Sequence, residues 1–137
     1  MAGYSGTPLI KKLGVKEGFR VHFANQPANF PQLLGKLPPH VQVVPRVSGA
    51  VDLIVLFVDS RRVLEKTFRP LADKLKPAGM IWVAWPKKSS GVSTDLSFDP
   101  VQKLGLQAGL VDVKICAIDD TWSGLKFVYR VKDRSKV

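Results

Sequence analysis

The chain has 137 residues, and its 21 Lys plus Arg against 11 Asp plus Glu give a formal charge of +10. A hydrophobic fraction of 45% with 23% charged residues excludes a disordered tail, a collagen-like repeat and a coiled coil, and the length suits one domain over residues 1–137. The single cysteine, Cys116, excludes an intramolecular disulfide and a multi-cysteine zinc site. No apolar run approaches the ~18 residues of a membrane span, and Met1–Ser5 lacks the residue order of a secretory signal. The expectation is a reduced, basic, cytoplasmic protein that binds no membrane.

The first helix signal is Thr7-Pro8-Leu9-Ile10-Lys11-Lys12-Leu13-Gly14, with Thr7 suited to cap, Pro8 to the first turn and Gly14 to a left-handed stop. Phe19–Ala24 reads as a strand. A short helix follows, where Asn29 and Gln32 have capping-box spacing, and Pro38-Pro39 ends it. Val41–Val44 and Val51–Val58 read as the next strands, the latter so continuously apolar that it belongs at the centre of a sheet covered on both faces. Ser60 caps a helix with apolar residues Val63, Leu64, Phe68, Leu71 and Leu75 at three- and four-residue spacing, and Pro70 predicts a kink or a break in it. Met80–Trp85 is another buried strand. A polar loop runs from Pro86 to Phe98, and Asp99-Pro100 opens a helix that closes at Gly109.

Val111–Ile118 and Leu125–Lys132 are the last strands, and the hairpin-length link Asp119–Gly124 makes them antiparallel. Leu125, Phe127, Tyr129 and Val131 alternate with Lys126, Arg130 and Lys132, a lysine-bearing pattern that suits a protected edge strand. Strands alternating with helices predict a three-layer α/β sandwich with a mostly parallel sheet of about six strands, the last antiparallel. Lys132–Val137 reads as a frayed basic tail.

An antiparallel final hairpin on a doubly wound sheet resembles the S-adenosylmethionine-dependent methyltransferase fold, a Rossmann-like arrangement. Gly14–Val21 resembles the lead-in to that family's first strand, and Leu75–Val83 the turn and strand after its fourth helix. The segment Asp112–Val128 looks like a family of short bacterial proteins catalogued only as a domain of unknown function, from which no residue roles carry over. The methyltransferase resemblance implies glycines after the first strand and an acidic residue after the second. Here those places hold Asn25-Gln26-Pro27-Ala28-Asn29-Phe30, without glycine, and Pro45-Arg46, without an acceptor side chain. No cofactor is therefore expected in the usual mode.

In open α/β sheets, ligands collect beyond the carboxyl ends of the parallel strands, which brings Asn25–Asn29, Asp59–Arg62, Trp85–Ser89 and Asp119–Ser123 together. Arg61 and Arg62 lie in a first helical turn that already favours anions, so an external anion would compensate them. Lys87 and Lys88 follow a buried strand; the alternative for all four is an ordinary solvated basic surface. Asp119 and Asp120 suit a turn as well as an acid/base role. Trp122, in a short loop, folds back as a lid or meets a partner. His22 and His40 have no chelating spacing, Cys116 reads as a buried inert thiol, and no metal site is expected.

The sequence thus predicts a binding or interaction module rather than an enzyme. Its ligand would be a small anion near Arg61, Arg62, Lys87 and Lys88, with Trp85 and Trp122 as walls and Asp119 among the ligand-binding residues. An enzyme with an atypical cofactor mode, with Asp119 or Asp120 as base, is the second reading. The third is a nucleic-acid accessory protein, binding weakly and without sequence preference because the charge is dispersed and no groove-reading motif is present.

Overall fold

The apolar run Val51–Phe57 forms β3, the central strand of a six-stranded sheet whose order is β2-β1-β3-β4-β6-β5. The computed structural model describes residues 7–136, with side chains to residue 133, so the reading of Met1–Ser5 lies outside the described residues. The other strands are β1 (Arg20–Ala24), β2 (Gln42–Val43), β4 (Leu75–Pro86), β5 (Leu110–Ala117) and β6 (Trp122–Tyr129). β2, β1, β3 and β4 pair in parallel, and β6 runs antiparallel to both of its neighbours.

Helices α1 (Leu9–Leu13) and α2 (Phe30–Leu34) cover one face of the sheet; α3 (Arg61–Ala72) and α4 (Phe98–Gln107) cover the other. Because successive side chains of a strand point to opposite faces, β3 feeds both cores. Ile54 and Leu56 meet Leu64, Phe68 and Val101, whereas Leu53, Val55 and Phe57 meet Leu13, Phe30 and Leu34. The predicted mostly parallel α/β sandwich with an antiparallel pair at one edge is the observed architecture.

Within that pair the positions are exchanged. The lysine alternation pointed to the last strand as the edge, but β5 is outermost and β6 is hydrogen-bonded on both sides. Lys126 does not mark an edge: its ammonium lies 5.9 Å from the centroid of the buried Trp82 ring, its stem covering apolar surface while its charge remains near solvent. β5 shows the edge signs instead, with an irregularity between Asp112 and Lys114 and exposed Val113 and Ile115.

Two local expectations also change. Pro70 does not divide α3, which runs unbroken to Ala72; it falls in the last turn, where only two helical residues follow the lost N–H. Trp122 opens β6 rather than sitting in a loop, which shortens the hairpin link to residues 118–121. After β6, Val131–Lys136 form a 3-10 stretch, with Val137 outside the described residues.

Candidate functional site

The strand order reverses direction between β1 and β3, and their carboxyl ends define the switch-point crevice where a doubly wound fold takes its ligand. Asn25 follows β1 with φ +58°, a left-handed conformation that asparagine tolerates better than most residues. Its side-chain amide donates to the Phe57 carbonyl at 3.3 Å, tying the end of β1 to the end of β3.

Phe30, at the start of α2, is fully buried between Phe23 and Phe57, its ring centroid 5.1 and 4.8 Å from theirs in edge-to-face contact. Trp122 continues the series edge-on to Phe57 at 5.1 Å. Two backbone donors at the start of α2 are engaged locally. Phe30 N–H bonds to the Pro27 carbonyl and Leu33 N–H to the Asn29 carbonyl, while Pro31 has no N–H to offer. Neither Asn29 nor a capping box forms a side-chain cap.

At the end of β3, Ser60 caps α3 by accepting from Val63 N–H at 3.3 Å. The Arg61 backbone N–H donates to the Asp95 carboxylate at 2.7 Å. The anionic partner of this helix start is therefore part of the chain, supplied by the polar loop after β4. Thr94 holds that loop in place, its hydroxyl donating to the Asp59 carbonyl at 2.6 Å and accepting from Leu96 N–H at 3.0 Å. Asp59, Ser60, Ser93, Thr94 and Asp95 line an open basin of about 410 Å³. The Arg61 side chain belongs elsewhere: it lines an α3–α4 groove of about 230 Å³ with Glu65 and Lys103. Arg62 is exposed.

The loop after β4 and the β5–β6 hairpin are joined by Lys87 N–H donating to the Thr121 carbonyl at 2.7 Å. Lys87 is half-buried and Lys88 exposed. Asp119 shapes the hairpin, its Oδ1 accepting from Thr121 N–H and Trp122 N–H at 2.8 Å each. That is Asx-turn chemistry. Trp85 and Trp122 do not share a cleft: Trp85 is buried in the α3–α4 core, and Trp122 packs into the α1–α2 core. Of the predicted site residues, the structure joins Lys87 to the hairpin of Asp119 and Trp122 and leaves Trp85 and the Arg61 side chain on the opposite face.

The remaining candidates serve the fold. His22 Nδ1 lies 2.9 Å from the Val44 carbonyl, bridging β1 to the chain after β2. His40 is exposed in a left-handed turn. Cys116 is half-buried; burial pushes its thiol above the ordinary value, and the charges of Lys114, Lys12 and Lys126 partly oppose that shift. Among the described residues, no three His, Cys, Asp or Glu side chains gather closely enough to hold a metal ion, and no helix is long and apolar enough to cross a membrane. Asp95 and Phe30 were given no role by sequence reasoning, and Asn25 was placed at the strand ends without one. Only Asn25, directly after a strand, carried a local signal.

Strand order, the inserted antiparallel β6 and the paired helical layers decide the fold. It is the fold of the S-adenosylmethionine-dependent methyltransferases. A SAM-dependent methyltransferase from Aquifex aeolicus superimposes with TM-score 0.58 at 18% identity, over 87% of this chain and 86% of that one. A fibrillarin pre-rRNA processing protein from Methanococcus jannaschii gives 0.60 at 12% identity, covering 90% and 69%. Magnesium protoporphyrin IX methyltransferase from Synechocystis, with SAH bound, gives 0.55 at 8% identity, covering 89% and 78%. No family model and no curated protein matches the chain.

Proposed function

We propose that this chain is a cytoplasmic binding or interaction module built on a methyltransferase-like fold, and that it does not take S-adenosylmethionine in the usual mode. One observation supports the reading: the turn after β1 has no glycine, contains Pro27, and leads straight into Phe30, which is locked in the core against Phe23 and Phe57. A cofactor needs close backbone approach and free donors at that turn. Rebuilding the turn for such an approach would disturb the anchored Phe30 ring, whose burial is worth roughly 1.5–3 kcal/mol.

Calorimetric titration with S-adenosylmethionine tests the proposal. The expected result is no saturable heat at millimolar cofactor; a micromolar dissociation constant overturns it. The second reading, methyl transfer with an atypical cofactor mode, draws support from the solved methyltransferases that share the fold, and the same titration decides between the two. Nucleic acid, in the module reading, is a weak and sequence-independent partner held by the +10 charge alone.

A further inference from the structure

Trp82 of β4, Lys126 of β6 and Lys114 of β5 lie in register across the sheet, so their side chains share one face. The two lysines are direct cross-strand partners, an arrangement in which like charges destabilise the pair. Lys16, just beyond α1, and Lys12, within it, add to the same positive field. Burial, then the charges of Lys114 and Lys16, push the Lys126 ammonium below its ordinary value.

Among the described residues no carboxylate forms an ion pair with Lys16, Lys114 or Lys126. Lys114 Nζ reaches only a backbone carbonyl, that of Lys12, at 3.5 Å. Lys126 is held over the Trp82 ring, and that indole is fixed by its N–H donating to the Leu13 carbonyl at 2.9 Å. Cys116, two residues along β5 from Lys114, shares the face.

We infer that Lys16, Lys114 and Lys126 form a binding site for a phosphate-bearing anion on the α1 face of the β5–β6 pair. A phosphate group placed between the paired ammonium groups would turn a repulsive cross-strand contact into two charge-assisted hydrogen bonds. This site lies away from the strand ends, so its fate is independent of the cofactor question. The phosphate can come from a free inorganic ion or from a phosphodiester backbone.

Cys116, the chain's sole cysteine, reports on the site. Bound phosphate neutralises the lysines that favour its thiolate, so alkylation by the neutral reagent iodoacetamide should slow. The probes are pyrophosphate and a short single-stranded oligonucleotide, each compared with choline chloride at matched ionic strength. The expected slowing is about threefold, from loss of thiolate as the lysine charges that favour it are neutralised, and Lys114→Gln should abolish it. Protection by pyrophosphate assigns a free anion, and protection by the oligonucleotide alone assigns a phosphodiester. Equal slowing by chloride, equal protection in Lys114→Gln or no protection overturns the inference. Lys16→Gln, at an exposed residue outside the sheet, repeats the test without disturbing strand pairing.

Discussion

The Asp95 carboxylate accepts the Arg61 backbone N–H at 2.7 Å, so a loop 34 residues away in sequence closes the start of α3. Charge-bearing caps of this kind are worth about 1 kcal/mol, within a range of roughly 0.5–2. Asp95→Ala should lower stability by about that amount and speed amide exchange in the first turn of α3, whereas Asp95→Asn should retain most of both. Urea midpoints and hydrogen exchange measure the pair; an Ala variant with unchanged exchange at Val63 and Leu64 would remove Asp95 from the capping role.

Gly105 of α4 packs against Phe127 of β6 so closely that an added Cβ would run into the ring at Cε1, Cδ1 and Cζ. Overpacking of this severity costs about 1–3 kcal/mol or more. Gly105→Ala should therefore destabilise despite alanine's better helix propensity, and Phe127→Leu in the same chain should recover part of the loss. A double-mutant cycle in thermal unfolding reads the coupling. Additive effects would mean that α4 simply shifts.

Trp82 is fully buried, and its indole N–H holds the Leu13 carbonyl at the end of α1. Trp82→Phe preserves an aromatic ring but leaves that carbonyl without its donor, a loss of about 1–3 kcal/mol where water cannot replace it. Exchange rates should rise in α1 more than in α3. A uniform rise across the protein would show that global stability, not α1 docking, depends on the bond.

Tyr129 donates its hydroxyl to the Ala72 carbonyl at 2.8 Å, and burial, then the neighbouring Asp73, raises its ionisation above the ordinary phenol value. A group whose folded-state pKa is raised stabilises fully below the unfolded value, about 10 for tyrosine, and loses that contribution as pH climbs through the folded value. At neutral pH, Tyr129→Phe should cost about 1 kcal/mol for the lost bond. Above about pH 10 the gap to the wild type should narrow as the wild-type phenol ionises. Urea midpoints across that range check the sign, and a gap that widens would contradict it.

The sheet was legible because its central strands leave no alternative: Val51–Phe57 and Ile81–Trp85 are apolar on both faces and need helices above and below. The exchange of β5 and β6 was not, since alternation shows which residues share a face but not which strand stands outside, and Lys126 over Trp82 imitates an edge lysine. At the strand ends, the missing glycines after β1 were readable directly, whereas Phe30 between Phe23 and Phe57 depends on a helix folding back over two strands. Arg61 misled because its backbone and its side chain serve different neighbours, the first Asp95 and the second the α3–α4 groove. Trp85 and Trp122 were read as neighbours, and they are nearly so along the ladder. Adjacent positions on paired strands nevertheless look to opposite faces.

The place of β6 between β4 and β5 also sets an order of events during synthesis. β5 leaves the ribosome before the strand that joins it to the sheet, and until Trp122–Tyr129 emerges the flank of β4 offers unpaired peptide groups beside Ile81 and Val83. The flank of β4 thus stays open to mispairing until β6 has been made. Slow translation of β6 would lengthen that exposure, and a chaperone that shields the flank of β4 would shorten it. In this topology β5 joins the sheet only through β6, the strand made after it.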